Sequence, residues 1–302
     1  MMGSADRFLI VNADDFGRSE TVNAGVTDAF RRGILTSTSI VATGTAFESA
    51  VALAGQNPGL GIGIHLVLDR QHEPALPPSE IQSLVTSNGK FRSRRKQFGK
   101  MAVDPRTRDD VFREWDAQIS KVLAAGIQLD HIDGHGHCHA HPRVASVVVA
   151  LAERYGIGHV RLPVEATTWR PERVSASRFA NKLVLNSFAL CSRHLWDGKL
   201  SFPRSFYGFS DGGHLTESVI RRVGQAAPAG VSELMVHVGT SNLDPALLES
   251  RYDWEGDLRS VTAFSRAAFE EEFGVQLVTY TGRRKSGALA QPQPTKVIKS
   301  TG

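Results

Sequence analysis

The residues best suited to chemistry are concentrated in Asp130-His-Ile-Asp-Gly-His-Gly-His-Cys-His-Ala-His-Pro142, which holds five of the chain's eleven histidines. His135, His137, His139 and His141 occupy alternate positions. In a strand, period-two spacing puts all four on one face, where imidazole nitrogens can meet a metal ion, a phosphate or a sugar. The preceding Ile127-Gln-Leu-Asp-His-Ile132 reads as a strand that delivers them to a sheet end, where α/β folds keep their sites. Other polar groups recur at inferred strand ends: Asp14-Asp15 in the polar turn Asn12–Gly17, His65 in Leu60–Leu68, and His237 in Ser232–Val238. One carboxylate with two imidazoles makes a common divalent-metal site with positions left for water. Asp15, His65 and His135 are the candidate ligands, each from a separate strand end. Asp14 stands beside them as candidate general base, and His237 as candidate general acid on the far side of the substrate. His137, His139 and His141 read as substrate contacts, supports for the ligands, or ligands of a second ion. Arg161 and His214 complete the candidate substrate contacts. Each residue alone has a structural explanation, because Asp stabilises a helix N-terminus and a histidine in an apolar strand is commonly core. Their recurrence at one sheet edge is what points to a single site.

The elements that must hold these groups alternate along the chain. Strands are expected at Phe8–Val11, Ser39–Thr43, Leu60–Leu68, Ile127–Ile132, His159–Leu162, Ser232–Val238 and Val275–Thr279. Helices are expected at Glu20–Arg32, Phe47–Ala54, Arg108–Ala125, Val144–Tyr155, Arg178–Leu195, Glu217–Gln225 and Arg259–Phe273. This order predicts an α/β fold, a mostly parallel sheet or (β/α) barrel around one core. Residues 1–282 read as one catalytic domain, with 69–105 and 167–213 as active-site loops or lid and 283–302 as a disordered tail. The apolar spacing within Arg178–Leu195 suits an amphipathic lid or a packed helix.

Composition narrows the function classes. The 302 residues are 41% hydrophobic and carry a formal charge of +4, much of it in Arg92–Lys96 and Arg283–Lys285. No aromatic residues interleave with these basic runs, which argues against a nucleic-acid partner and leaves a peripheral membrane contact open. The two cysteines, Cys138 and Cys191, form no disulfide framework. With no signal-peptide pattern and no apolar run of spanning length, the expected location is cytoplasmic, at most peripheral to the inner membrane. Whether the chain is a monomer or a homodimer is not legible.

Four ordered stretches carry a family resemblance: Ala13-Asp-Asp-Phe-Gly17, Gly63-Ile-His-Leu66, His131–His139 and Leu234-Met-Val-His-Val-Gly239. Gly33–Ser39, Gly213–Thr216 and Glu249–Tyr252 support them. Over residues 8 to 282 the chain resembles the YdjC-like family of carbohydrate deacetylases, also called the ChbG/HpnK family. The resemblance implies a distorted (β/α) barrel similar to that of polysaccharide deacetylases. It implies one divalent ion (zinc, magnesium, nickel, cobalt or manganese) on Asp15, His65 and His135, with Asp14 as base and His237 as acid. The alternating histidines and Leu76-Pro-Pro78 look most like the hopanoid-associated HpnK branch, whose substrates are glycolipids. Val238 stands where many relatives carry Pro, which affects the pocket beside His237.

The implied reaction is removal of an N-acetyl group from an acetamido sugar, in an oligosaccharide or a glycolipid head group, releasing acetate and a free amine. An ionised Asp14 working with a protonated His237 implies a bell-shaped pH–rate profile. Two rival readings are a metal phosphoesterase, since His-x-His clusters also build two-metal phosphate sites, and a non-catalytic carbohydrate- or lipid-binding protein on the same fold.

Overall fold

The computed structural model describes residues 6–172 and 176–282. The terminal stretch read from sequence as a disordered tail lies outside the described residues. The chain runs β1 (Arg7–Phe16), α1 (Glu20–Arg32), β2 (Ser37–Ile40), α2 (Phe47–Gly55), β3 (Gly61–Leu66), α3 (Arg94–Val103), α4 (Arg106–Ala124), β4 (Ile132–Gly134) and α5 (Ala145–Tyr155). It continues through α6 (Ala176–Trp196), β5 (Ser205–Tyr207), α7 (Glu217–Ala226), β6 (Gly230–Val236), α8 (Trp254–Thr262), α9 (Arg266–Phe273) and β7 (Gln276–Leu277). All strand pairs are parallel, in the order β4-β3-β2-β1-β6-β5, with β7 on β1.

β1 is the organising strand. Leu9, Ile10, Val11 and Ala13 are fully or almost fully buried, as expected of a strand covered on both faces. β6 lies along one side from Arg7 to Ala13. Backbone bonds from Thr36 to Val11 and from Val278 to Leu9 put the β2 and β7 segments together on the other side. The expected polar turn after Val11 does not form there. Pairing continues to Phe16, with a register shift between Ala13 and Phe16 that carries Asp14 and Asp15. Asp15 has φ +70°, a left-handed conformation that costs a non-glycine residue free energy and that gathers at functional sites.

The sheet curls until its edges approach. Isolated bridges join Ile132 to Val160, His159 to Ser201 and Glu165 to Phe206. The segment 159–165 therefore spans from β4 to β5 and closes a distorted barrel, although only bridges form where a strand is expected. Arg161 lies on this closing segment. The core runs from both sheet faces into the helices, with Trp115, Trp196 and Trp254 buried to 1% exposure or less.

Other differences have local causes. α3 falls inside a stretch expected to be irregular; only Gln97 and Met101 of its residues are buried, so it shows no apolar stripe. The expected last helix is two, because Ser265 caps α9 by accepting from the Ala268 N–H. No helix among the described residues is long and apolar enough to cross a membrane.

α1 sets the height of the segment after β6. A Cβ on Gly25 would stand 2.7 Å from Gly239 Cα, so helix and loop touch backbone to backbone beside His237. Helix propensity favours Ala over Gly by about 1 kcal/mol. Overpacking against backbone costs about 1–3 kcal/mol and outweighs it. Gly25→Ala should lower the midpoint of chemical denaturation; a stabilised variant would contradict this packing.

Candidate active site

Asp15, His65 and His135 meet, and each offers a ligand atom within 4.8 Å of the others. Asp15 is 1% exposed and holds its Oδ2 on the Arg18 guanidinium at 2.9 Å. Its Oδ1 faces His135 Nδ1 at 3.2 Å and His65 Nε2 at 3.5 Å. Donors about 2.1 Å from a tetrahedral ion stand about 3.4 Å from one another, so these spacings are compatible with a divalent cation between the three groups. A carboxylate and two imidazoles are also a chemically apt set for such an ion. Burial would raise the Asp15 pKa, but Arg18, His135 and His65 together hold it well below the usual carboxylate range.

Each ligating histidine has a carboxylate on its other nitrogen. His65 Nδ1 lies 2.8 Å from Asp133 Oδ1, with Ser39 Oγ donating to Asp133 Oδ2 at 2.9 Å. Asp69 Oδ2 faces His135 Nε2 at 3.5 Å. The Asp133 partner fixes the His65 tautomer and aims its Nε2 lone pair at the triad. Burial alone would lower the His65 pKa, but Asp133, Asp14 and Asp15 raise it to about 9.

Asp14, 3% exposed, is gripped from behind by Arg161. Arg161 Nη1 donates to Asp14 Oδ2 at 2.9 Å and Nη2 to Oδ1 at 2.6 Å. The same guanidinium reaches Asp133 at 2.9 Å and Glu233 at 2.8 Å. Arg161 is fully buried, so its expected role as a substrate contact gives way to a positioning one.

His237 follows β6 and packs on Tyr252 and Trp254, with ring centroids at 4.6 and 5.6 Å. Its backbone N–H donates to Asp257, and its Nδ1 is buried without a partner. Burial lowers its pKa to about 4 despite Asp14 and Asp15. The imidazolium expected from sequence is therefore not the resting state.

The alternating histidines do not share a face. Residues 135–140 form a 3-10 turn, kinked by positive φ at Gly136 (+56°) and His137 (+59°). His135 alone of the four enters the triad. His137 is buried against Phe206 and Phe209. His139 is fully buried, donates Nε2–H to the Arg161 carbonyl at 3.0 Å and stacks on Trp196. Burial lowers His139 to about 4. His141 packs on Phe98 and Phe188 and accepts the Arg143 N–H at Nδ1. For His139 and His141 the structure thus gives packing roles in place of the expected substrate contacts. His214 is half-buried, with its N–H on the Asp211 carbonyl. Sequence reasoning passed over Asp69, Asp133 and Glu233 as site residues. A lone Glu233 inside the apolar run Ser232–Val238 was the available signal.

The His65 proton predicts how the site answers pH. In the free protein His65 stays protonated below about 9, and it must shed that proton before Nε2 can bind an ion. Calorimetry at pH 7 should detect about one proton released per ion, with apparent affinity falling about tenfold for each unit of pH below 9. Affinity that does not change between pH 6 and 9 would contradict the assignment of His65.

The family described as YdjC-like protein matches residues 8–270. A carbohydrate deacetylase of Brevibacillus brevis is 33% identical over 276 residues, covering 90% of this chain and 98% of the relative. One from Geobacillus stearothermophilus is 37% identical over 281 residues, covering 91% and 97%. A chitooligosaccharide deacetylase of Serratia marcescens is 31% identical over 252 residues, covering 82% and 87%. Among solved structures, a protein of Enterococcus faecalis V583 described as a putative cellobiose-phosphate cleavage protein superposes with a TM-score of 0.70 at 27% identity, covering 91% of this chain and 98% of the other. The fold and the extent of these matches, nearly end to end, place this chain in the YdjC-like family.

Proposed function

We propose that the protein is a metal-dependent carbohydrate deacetylase that hydrolyses the N-acetyl group of an acetamido sugar. The observation that carries this reading is the juxtaposition of the Asp15–His65–His135 triad with a second carboxylate, Asp14, whose direction is set by Arg161. Names of the relatives support the same class, since they include carbohydrate and chitooligosaccharide deacetylases. Asp15, His65 and His135 would hold the ion. A divalent cation there supplies Lewis acidity, polarising the amide carbonyl and easing deprotonation of water.

The protein's own groups then handle the protons. Asp14 accepts a proton from the attacking water, and Arg161 keeps both its oxygens in place. The C–N bond breaks only if the nitrogen leaves as an amine, so a proton must reach it. His237 is neutral at rest and relays to that nitrogen the proton that the base removes. The bell-shaped profile expected from a pre-protonated His237 is replaced by one in which His237 contributes no alkaline limb near neutral pH.

A second substrate reading concerns what the sugar is attached to. α6 leaves Phe179, Leu183, Val184, Leu190 and Leu195 between 42% and 53% exposed, an apolar surface suited to a lipid-borne sugar of the kind the hopanoid-associated branch uses. On this reading residues 1–282 act as one catalytic domain, and α6 within 167–213 serves as the lid.

Acetate release should be measured on N-acetylglucosamine oligomers and on glycolipids carrying an acetamido sugar, using chelated protein with metals added back. Activity should require the ion. Asp14→Asn should lose about 10²–10⁴-fold in turnover while still binding metal. Phosphate release from phosphoesters with no acetate release would replace this reading with the phosphoesterase one. Sugar binding without turnover would replace it with the binding-protein one. Soluble oligomers turned over while glycolipids are ignored would remove the lipid reading.

A further inference from the structure

We propose a second divalent-cation site formed by Asp69, His72 and His135, which competes with the triad for His135 and makes excess metal inhibitory. These three residues also place ligand atoms within 4.8 Å of one another. Asp69 and His72 belong to one tight turn beyond β3. The His72 N–H donates to the Asp69 carbonyl and the Gln71 N–H to Asp69 Oδ1, both at 3.0 Å. Asp69 Oδ2 is thereby left facing His135. The His72 ring packs on that of His135 with centroids 4.7 Å apart. His72 is 5% exposed, and its buried Nε2 has no hydrogen-bond partner. A buried polar atom left unpaired is destabilising, and a cation held by these donors would satisfy it.

His135 couples the two sites. Its Nδ1 faces Asp15 at 3.2 Å and its Nε2 faces Asp69 at 3.5 Å. A neutral imidazole has a lone pair on one nitrogen and a proton on the other. When Nδ1 serves the triad, Nε2–H points at Asp69, which then acts as a support. When an ion binds on the Asp69 side, Nε2 becomes the ligand, the proton moves to Nδ1, and the triad keeps only Asp15 and His65. The inhibitory consequence rests on the metal-hydrolase reading above; the second site itself does not.

Equilibrium dialysis of the full chain against zinc, with acetate release followed in parallel, tests the proposal. The wild type should bind a second, weaker ion, and activity should fall about tenfold or more as it binds. His72→Ala should lose the second ion, retain the first, and show no inhibition at excess zinc. Asp15→Asn should lose the first ion and keep one on the Asp69 side, which separates failure of the second site from failure of the triad and leaves His72 intact. A single class of ion in the wild type, a second class that survives in His72→Ala, or activity that climbs as the second ion binds would each overturn the proposal.

Discussion

One buried guanidinium holds the site together. Arg161, on the segment that closes the barrel, ion-pairs with Asp14 from β1, Asp133 from β4 and Glu233 from β6. Moving four charged groups out of water is repaid only when geometry and hydrogen bonding are good, and removing one partner from such a set costs about 3–5 kcal/mol. Three carboxylates around one cation leave a local surplus of negative charge. That surplus appears as the raised proton affinity of His65. A site that attracts protons this strongly also attracts divalent cations.

The same arrangement divides labour among similar side chains. Asp14 and Asp15 are adjacent in sequence, yet Asp14 turns to Arg161 and Asp15 to Arg18 and the two imidazoles. Asp133 holds His65 at Nδ1 and Asp69 faces Nε2 of His135, so each of the two imidazoles has a carboxylate on the side away from Asp15. Asp257, which accepts from the His237 backbone, is held nearly neutral by burial, with its pKa raised to about 8. It therefore anchors the His237 loop with little added negative charge near that ring.

Much of this was legible in the sequence, and what was missed has physical causes. Alternation of apolar runs with amphipathic helices marked the parallel sheet, and Asp15, His65 and His135, which the structure brings together, were singled out with His237 because each ends or follows a strand. The period-two reading of the histidines failed because Gly136 and His137 adopt positive φ, which converts an extended run into a 3-10 turn. α3 was invisible because its buried side is Gln97 and Met101, with no apolar repeat. The three carboxylate partners of Arg161 lie 147, 28 and 72 residues away and meet only when the sheet curls, so its ion-pair network was not legible in the sequence. Asp69 and His72 were hidden in a stretch without periodicity, and only the return of β4 beside β3 brings His135 to them.

On the proposed reading Arg161 fixes Asp14 beside a three-residue cation site. Anomalous diffraction from crystals loaded with one equivalent of zinc is the decisive measurement. A single strong peak is expected about 2.0–2.2 Å from His65 Nε2, His135 Nδ1 and an Asp15 oxygen, with Asp14 unligated and still paired to Arg161. A peak coordinated by Asp14, or one that leaves out either His65 or His135, would contradict it.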